Sequence, residues 1–237
     1  MDLKELELLA EAAERHWYYA SKARAVLACL ANHTPERILD VGAGSGFFSK
    51  VLLRETGARS AICVDRGYTS EWEESCAGKP VAFRRSISEV DADVVLMLDV
   101  LEHADNDREL LRQYVDKARR GTRFVISVPA FSWLWSKHDD FLEHRRRYTL
   151  RGLQAVVADV RLSPVRSHYF FAGVFPAVAV HRVLRRLWNR GASAASDLRQ
   201  HHPVTNSLLA RLCSAESGIA RYNRAFGLTV FSVSEKA

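Results

Sequence analysis

The stretch RILDVGAGSGFFSKVL, from Arg37 to Leu52, has the pattern of a strand, a glycine-rich turn and the start of a helix. Its glycines stand at every second position, as Gly42, Gly44 and Gly46. Glycine serves where a chain must turn with positive φ, or where a ligand must approach the backbone closely. The stretch therefore predicts a tight strand-to-helix turn, either as an ordinary connection or as the cradle of a bound ligand.

Length and composition indicate one globular α/β domain. The chain has 237 residues, of which 48% are hydrophobic and 26% are charged, close to the average of folded proteins. This length suits one α/β domain with a full core and is short for two independent enzyme domains. The composition excludes disordered and fibrous classes, and no apolar run of the sequence reaches the ~18 residues of a membrane span.

Charge and cysteine usage indicate the type of partner and the compartment. The net charge of +6 and the pI near 9.3 favour anionic partners, whether a nucleic acid, an anionic membrane surface or an acidic small molecule. The four cysteines show no CxxC spacing, and the first residues, MDLKELELLAEAAERH, are charged where a signal peptide would be apolar. We therefore expect a cytoplasmic protein, with a peripheral contact at the inner membrane face left open.

Short apolar runs alternate with helix-length stretches along the chain, as RILDVG, SAICVD, ADVVLMLD and RFVISVP. Uniformly apolar strands that alternate with helices are typical of a parallel sheet covered on both faces. Further strands are expected just before Ser86, near PVRSHYFF and at GLTVFSVSEK. We predict an α/β fold with a doubly wound, mostly parallel seven-stranded sheet, in which ligands bind beyond the carboxyl ends of the strands.

Residues around the turn narrow the choice of ligand. The GK[ST] sequence of a P-loop is missing, and a dinucleotide fingerprint places two residues before its third glycine, whereas one residue separates Gly44 from Gly46. Asp65 ends the second strand about 20 residues further on, where a carboxylate can accept hydrogen bonds from both ribose hydroxyls. Both NAD and S-adenosylmethionine contain such a ribose, so Asp65 is compatible with either ligand.

Three motifs together resemble the class I S-adenosylmethionine-dependent methyltransferases: LDVGAGSG at the turn, VD at 64–65 and DVVLMLDVLEH at the fourth strand. The resemblance extends over about residues 10–160. HWYYASKAR and HDDFLEHRRRYT are similar to segments of the bacterial small-molecule type, which includes the ubiquinone-biosynthesis O-methyltransferases. The resemblance implies a Rossmann-like methyltransferase fold, with S-adenosylmethionine as cofactor and S-adenosylhomocysteine as product.

The resemblance also implies which residues contact the cofactor. Asp40 would bind the methionine amino group, Asp65 would hold the ribose, and the glycines would let the backbone pass close under both. Ser86 and Ile87 would lie along the adenine, while the end of the fourth strand would approach the methionine through its backbone. The implied set is Asp40, Gly42, Gly44, Gly46, Asp65, Arg66, Ser86, Ile87, Leu98 and Asp99.

We expect one methyltransferase domain over residues 1–237, built from four parts. These are an N-terminal helical lid (1–34), a cofactor-binding core (35–172), a helical insertion that caps the acceptor (173–226) and the last strand (227–237). The lid shows helical spacing of apolar residues from 3 to 31 and ends before a proline. The insertion contains two basic amphipathic helices, which suit a packed pair, a membrane surface or a lipid substrate.

Histidines after the strands are the candidate catalytic bases. A hydroxyl acceptor must lose its proton as the methyl group arrives, and a neutral imidazole is well matched to that task near pH 7. His138, in the aromatic segment after RFVISVP, is the first candidate, with Asp139 or Asp140 expected to orient it. His103 is the second candidate.

The lid and the segment before Thr149 supply the candidate acceptor contacts. The aromatic residues of HWYYASKAR either pack in the core or close over the cofactor. EHRRRYT is either a solvated basic face before a helix capped by Thr149, or a segment that binds an anionic acceptor by bidentate contacts. The acceptor candidates are His16, Trp17, Tyr19, Trp135, Asp139, His144, Arg145 and Tyr148.

A metal site is the main alternative use of the polar residues. The set Asp99, Glu102, His103 and His138 is similar to the carboxylate and imidazole ligands of some metal-dependent RNA methyltransferases. That pattern, however, has a glutamate where Asp99 stands and paired histidines downstream. We therefore predict no metal.

Together these features predict methyl transfer to an oxygen nucleophile of a small, anionic, aromatic or lipid-like acceptor, by a monomer or homodimer. Nucleic acid is not expected as a partner. Three alternatives are kept: a metal-assisted RNA methyltransferase, a non-catalytic scaffold that binds S-adenosylmethionine, and, last, a dinucleotide oxidoreductase.

Overall fold

The structure is a computed structural model that describes residues 15–188 and 202–237. Within these residues eight strands form one sheet: β1 (Arg37–Val41), β2 (Ser60–Val64), β3 (Trp72–Cys76), β4 (Lys79–Arg84), β5 (Val94–Leu98), β6 (Arg123–Pro129), β7 (Leu162–Phe170) and β8 (Thr229–Lys236). Their order across the sheet is β3-β4-β2-β1-β5-β6-β8-β7. The strand order reverses between β1 and β5, which is where open α/β sheets bind ligands.

Seven α-helices flank the sheet in the described part of the chain: α1 (Trp17–Cys29), α2 (Phe47–Glu55), α3 (Asp107–Val115), α4 (Lys137–Phe141), α5 (Leu150–Asp159), α6 (Phe175–Trp188) and α7 (Pro203–Ser217). At the start of several of these helices, the side chain of the N-cap residue accepts a hydrogen bond from a backbone N–H of the first turn. The Asn106 side chain accepts from the backbone N of Glu109 at 3.1 Å at the start of α3. Thr149 caps α5 as predicted, since its hydroxyl accepts from Gly152 N at 3.0 Å.

The central strands β4, β2, β1, β5 and β6 pair in parallel, as predicted. Four of them, β1, β2, β5 and β6, are mostly apolar and mostly buried, and all five residues of β5 are buried. The carboxyl ends of β1, β2 and β5 therefore meet at one edge of the sheet. Asp65 and Asp99 stand directly after β2 and β5, so both lie at this edge.

The sheet has one strand more than the seven predicted. β3 pairs antiparallel with β4 through a turn in which Ala77 and Gly78 have φ values of 53° and 74°. Two successive positive φ values are typical of two-residue hairpin turns. Trp72 stacks on its cross-strand neighbour Phe83, with ring centroids 4.2 Å apart. The prediction missed β3 because its sequence, WEESC, is largely exposed at the sheet edge and contains no apolar run.

β8 runs antiparallel between β6 and β7, so the strands predicted near PVRSHYFF and at GLTVFSVSEK are both present. Thr229 of β8 pairs with Pro129 at the end of β6 and with Phe170 at the end of β7. The segment between β7 and β8, which carries α6 and α7, thus leaves and rejoins the sheet at its ligand-binding edge.

Two apolar layers cover the sheet, which confirms the doubly wound prediction. Ile38 belongs to the layer that includes α1, α2 and part of α7, whereas the next residue, Leu39, belongs to the layer of α3 and α5. Side chains alternate between the faces of a strand, so each layer takes every second residue of β1.

The predicted N-terminal helix is described from Trp17 onward, and its residues 1–14 lie outside the described residues. Asn206 of α7 holds the start of α1, since its Oδ1 accepts from Trp17 N at 2.8 Å and its Nδ2 donates to Arg15 O at 2.9 Å. Arg166 donates to the carbonyl of Ala28 at 3.1 Å near the other end. The first helix is therefore tied to the predicted insertion, of which residues 189–201 also lie outside the described residues.

Candidate active site

The glycine-rich turn closes against β2. Gly42 N donates to the carbonyl oxygen of Val64 at 2.7 Å. Gly42, Gly44 and Gly46 have φ values of 67°, 54° and 69°, the conformation that favours glycine. A Cβ atom on Gly42 would lie 2.6 Å from Cγ2 of Val100. The turn therefore holds its backbone where a side chain does not fit, and Gly42 lines a cavity of about 680 Å³.

Asp65, directly after β2, is oriented by this turn. Its Oδ2 accepts from Gly44 N at 3.1 Å and its Oδ1 accepts from Gly67 N at 2.8 Å. The carboxylate is half-buried and lines the same cavity. A carboxylate in this position can accept hydrogen bonds from the hydroxyls of a bound ribose.

Asp40, the residue expected at the methionine amino group, lies beneath the turn in β1. Its side chain is 2% exposed, and its Oδ2 accepts from the hydroxyl of Ser49 at 2.9 Å. Burial raises the pKa of Asp40 to about 6, although the hydrogen bond from Ser49 opposes this shift. Asp40 does not line the cavity.

The cavity holds half of the predicted cofactor set, and its size is typical of small-molecule sites. The lining members are Gly42, Asp65, Arg66, Leu98 and Asp99. The members outside the lining are Asp40, Gly44, Gly46, Ser86 and Ile87. The sequence analysis missed Asn106 and Tyr114, because α3 has the ordinary pattern of an amphipathic helix. The cavity is lined by Gly42 and by Asp65, and it lies at the carboxyl ends of the strands. These features fit S-adenosylmethionine.

A second cavity, of about 750 Å³, has one apolar wall built from α1, α6 and α7. Trp17, Tyr18 and Tyr19 contribute from α1, and Val178, Leu209 and Leu212 contribute from the other two helices. Trp17 and Tyr19 were predicted to contact the acceptor, whereas Tyr18 and the α6 and α7 residues were not singled out. A helix-period apolar stripe does not reveal which of its residues will face a cavity rather than the core.

Polar residues line another part of the second cavity, which is called its polar wall below. The loop after β5 provides Asp99, Glu102 and His103, and the segment after β6 provides His138, His144 and Arg147. α6 adds His181, Arg182 and Arg185. Of these, His103, His138 and His144 were predicted site residues, and the cavity brings all three together.

Asp139 does not line the second cavity but supports its polar wall. It accepts from Arg147 Nε at 2.7 Å and contacts His144 Nδ1 at 2.8 Å. Burial alone would raise the pKa of Asp139, but His144 and Arg147 hold it well below its usual range. Ser136 and Asp139 also form a capping box at the start of α4. The Ser-x-x-Asp spacing was the sequence signal that could have identified this structural role.

Four other predicted acceptor residues also lie outside the cavity lining. His16 is buried as the N-cap of α1. Trp135 Nε1 donates a hydrogen bond to Asp140 Oδ1 at 2.9 Å. Arg145 Nε donates to a backbone carbonyl of the β5 loop. Tyr148 is buried, and its hydroxyl donates to Asp107 Oδ2 at 2.8 Å.

The two cavities share a wall at Asp99 and His103, both of which line each of them. Asp99 has φ of 56° and accepts from the Ser127 hydroxyl at 3.1 Å. The ammonium of Lys22, fully buried in α1, pairs with its other oxygen. Burial alone would raise the pKa of Asp99, but Lys22 holds it below its usual range. The two cavities are therefore adjacent at these two residues.

Glu102, His103 and His144 form a cluster of possible metal ligands. One ligand atom from each residue lies within 4.8 Å of those of the other two. Glu102 is fully buried, and burial followed by the charge of Asp99 raises its pKa well above the usual range. The cluster shares Glu102 and His103 with the set considered from the sequence, but takes His144 in place of Asp99 and His138.

Similarity to solved structures identifies the fold of the chain independently of the sequence motifs. The Haloferax volcanii partner of the Trm112 methyltransferase activator is 16% identical, with 99% of this chain and 93% of that chain covered and a TM-score of 0.55. The N-methyltransferase NodS from Bradyrhizobium japonicum WM9, in complex with S-adenosylhomocysteine, is 10% identical, with 96% and 90% covered and a TM-score of 0.51. The [4+2]-cyclase SpnF is 11% identical, with 92% and 82% covered and a TM-score of 0.54.

These likenesses show the Rossmann-like methyltransferase fold and, as the cyclase illustrates, not the reaction. No curated protein sequence matches the chain at a significant level. The model of the methyltransferase domain family matches residues 14–170, more than half of the chain and the part that builds the cofactor cavity. The chain therefore belongs to the methyltransferase domain family, as a class I methyltransferase that uses S-adenosylmethionine.

Proposed function

We propose that the protein methylates an oxygen nucleophile on a small, anionic acceptor with an aromatic or lipid-like body. The observation that carries the proposal is the second cavity, which faces the cofactor cavity across Asp99 and His103. One of its walls is aromatic and aliphatic, and the other carries histidines and arginines. An acceptor with a matching apolar body and an anionic group would satisfy both walls.

Charge on the polar wall supports an anionic acceptor. His181, Arg182 and Arg185 come from neighbouring turns of α6, and Arg182 Nη1 is positioned by the carbonyl of Leu134 at 2.8 Å. Guanidinium groups bind carboxylates and phosphates in bidentate geometry. Among the aromatic residues that line the same cavity, Trp17 Nε1 is buried and has no hydrogen-bond partner among the described residues. It is available to a polar atom on the body of the acceptor.

The chain's own residues would position the reactants and remove a proton. S-adenosylmethionine, when bound, supplies an electrophilic methyl group on its sulfonium. Asp65 and the glycine turn would hold the cofactor, and α1 would exclude water from the shared wall. We assign removal of the acceptor's proton to His138, with His103 as the second candidate. Asp139, which with Asp140 was one of the two residues expected to orient His138, binds His144 and Arg147.

The organisation of the chain follows from the same proposal. We propose that residues 1–34 act as a lid, 35–172 as the cofactor-binding core, 173–226 as an acceptor cap and 227–237 as the closing strand of one domain. The similarity to the ubiquinone-biosynthesis type, a cytoplasmic location and a monomeric or homodimeric state remain part of the proposal. Among residues 15–188 and 202–237, no helix is both long and apolar enough to span a bilayer.

Transfer of a labelled methyl group tests the reaction. The full chain is incubated with methyl-labelled S-adenosylmethionine and with separate aqueous, lipid and RNA fractions of a cell extract. We expect label in a small acidic molecule or lipid, and mild alkali then separates methyl esters from stable methyl ethers. Label confined to RNA would overturn the choice of acceptor, and binding of the cofactor without label in any fraction would favour the scaffold alternative.

Replacement of His138 tests the proton assignment once the acceptor is known. His138→Ala should lower kcat by about 10²–10⁴-fold with unchanged cofactor affinity, because the base acts only in the transition state. A rise in acceptor KM alone would instead assign His138 to binding. His33→Ala is the matched control, since His33 pairs with Asp93 and lines neither cavity. Unchanged kinetics in His138→Ala would remove this residue from the mechanism.

A further inference from the structure

We infer that Glu102, His103 and His144 bind one divalent cation in the polar wall of the second cavity. The three ligand atoms lie within 4.8 Å of one another, and all three residues line the cavity. Binding of the cation is independent of the proposed reaction. Its role, which is to hold the acceptor through an oxygen atom, rests on the proposed function. The inference departs from the metal-free expectation of the sequence analysis.

Glu102 provides the first argument, because its carboxyl group has no partner. The side chain is fully buried in the short helical turn after β5, and neither carboxyl oxygen has a hydrogen-bond partner among the described residues. Buried carboxyl groups are normally hydrogen-bonded, paired or bound to a metal. Among the described cations near it, Lys22 pairs with Asp99 and Arg147 pairs with Asp139. A bound cation would give Glu102 the partner that these two residues do not.

His144 is oriented as metal-binding histidines commonly are. Its Nδ1 contacts Asp139 Oδ1 at 2.8 Å, which leaves Nε2 as the atom for a ligand. Asp139 is itself fixed by two contacts to Arg147, at 2.7 and 3.0 Å, and by the backbone N of Ser136 at 2.8 Å. A carboxylate behind the imidazole sets its tautomer and increases its basicity as a ligand.

The two loops that carry the cluster are tied to each other. Arg145 N donates to the carbonyl of Glu102 at 2.8 Å, and Arg145 Nε donates to the carbonyl of His103 at 3.1 Å. Arg146 donates to the carbonyls of Ala104 and Asp105, both at 2.8 Å. The rings of His103 and His144 lie 4.9 Å apart and nearly perpendicular. The ligands are therefore held in place by the surrounding backbone rather than gathered by the cation.

The donor set selects the class of cation and of acceptor. Two imidazoles with one carboxylate suit Zn²⁺, Mn²⁺, Fe²⁺ or Co²⁺ better than Mg²⁺ or Ca²⁺, which prefer oxygen donors. Three protein ligands leave coordination positions open, as in catalytic metal sites. All three ligand residues line the cavity that would bind the acceptor. The class of acceptor that follows is a molecule whose reacting hydroxyl would ligate the cation and thereby become more acidic. His103 then serves as a ligand, and His138 is the remaining candidate base.

Cation binding is measured on the full chain without cofactor or acceptor. The protein is stripped with a chelator and dialysed, and Mn²⁺ is then titrated while the free ion is followed by electron paramagnetic resonance, with Zn²⁺ as competitor. We expect about one Mn²⁺ per chain, displaced by Zn²⁺. Glu102→Gln and His144→Asn should each weaken binding by about 10- to 100-fold or more. His33→Asn is the matched control and should bind as the parent protein does.

The outcomes separate this inference from the proposed function. No saturable binding below millimolar Mn²⁺, or binding that survives both Glu102→Gln and His144→Asn, would overturn the cation site. Thermal melts identify a variant that fails to fold, and the other variant then decides. Labelled methyl transfer that persists in excess chelator would leave the proposed function intact without the cation. Saturable cation binding with no methylated product would keep the site and overturn the proposed function.

Discussion

At Gly42, both the backbone conformation and the available space exclude a side chain. Gly42→Ala should destabilise the fold by about 1–3 kcal/mol and also weaken cofactor binding, because the Cβ meets Val100 and φ is positive. Gly78→Ala is the matched control. Gly78 has a similar φ of 74°, but a Cβ there meets nothing within 4 Å. Urea unfolding should show a smaller loss for Gly78→Ala, and titration calorimetry should show unchanged affinity for S-adenosylmethionine; equal losses would contradict the steric argument.

Asp40 makes folding stability depend on pH in a defined direction. Its ordinary pKa is about 4, and burial raises the pKa to about 6, so the native state binds the proton more tightly than the unfolded state. The contribution of this group to stability therefore falls as the pH rises from about 4 to about 6, and the loss persists above that range. The physical cause is the removal of a carboxylate from water.

Asp40→Asn should remove this pH dependence. We expect the stability of the variant relative to the parent protein to increase between pH 4 and pH 7, by up to about 3 kcal/mol for a shift of about two units. Urea titrations without cofactor at several pH values measure this difference. A difference that stays constant across the range would show that Asp40 titrates normally in the folded protein.

At the scale of elements, one ion pair fixes helix α1 to the end of β5. Lys22 has no solvent-exposed side-chain surface, and its partner Asp99 stands at the wall between the two cavities. Asn206 of α7 adds hydrogen bonds at the start of the same helix. The position of α1, whose aromatic residues line the second cavity, therefore depends on these charged and polar contacts.

Lys22→Met should destabilise the protein by more than the ~1 kcal/mol of an exposed pair and by less than the ~3–5 kcal/mol of a fully buried one, because it leaves the carboxylate of Asp99, which is 35% exposed, without its cation. The double variant Lys22→Met with Asp99→Asn should recover much of that loss, since no uncompensated charge remains. Lys50→Met is the control. Its pair with Glu74, at 2.7 Å, is partly exposed and should contribute no more than about 1 kcal/mol. Urea unfolding of the four proteins tests this, and similar losses in both single variants would contradict it.

At the scale of the whole molecule, the exposed faces of α6 and α7 combine apolar and basic residues. Val180, Val183 and Leu184 are exposed on α6, as are Val204 and Leu208 on α7. Arginines stand near them on both helices, and the chain carries a net charge of +6. We propose that this surface contacts an anionic membrane, where each basic residue near the surface contributes about 1 kcal/mol.

Flotation with anionic liposomes at low salt tests the membrane contact. We expect the protein to float with anionic vesicles, to stay behind with neutral ones, and to be released by salt. Leu208→Asp should reduce flotation, because Leu208 is 66% exposed on α7. Val165→Asp changes a residue of β7 that is 56% exposed and should leave flotation unchanged. Recovery of all the parent protein in the soluble fraction would exclude the membrane contact.

Local sequence determined the central sheet and the glycine turn. Buried parallel strands need continuous apolar runs, and a turn with three positive φ values needs glycine. Both features can therefore be recognised from a sequence pattern of only a few residues. Asp65 and Asp99 were found for the same reason, since each directly follows such a strand. The edge strand β3 could not be predicted from the sequence, because an exposed strand has no apolar run.

Only the tertiary structure decided how the polar residues are used. Lys22 and Asp99 are 77 positions apart, and Glu102 and His144 come from separate loops. Asp139, predicted to bind the acceptor, instead supports Arg147 and His144. The partner of a charged side chain depends on which loops packing brings together, because an ion pair needs its two charged groups within about 4 Å of each other. The sequence by itself therefore determined the apolar strands, the turn and the class of cofactor, whereas the packing of helices and loops decided which residues line the second cavity and which of them meet there.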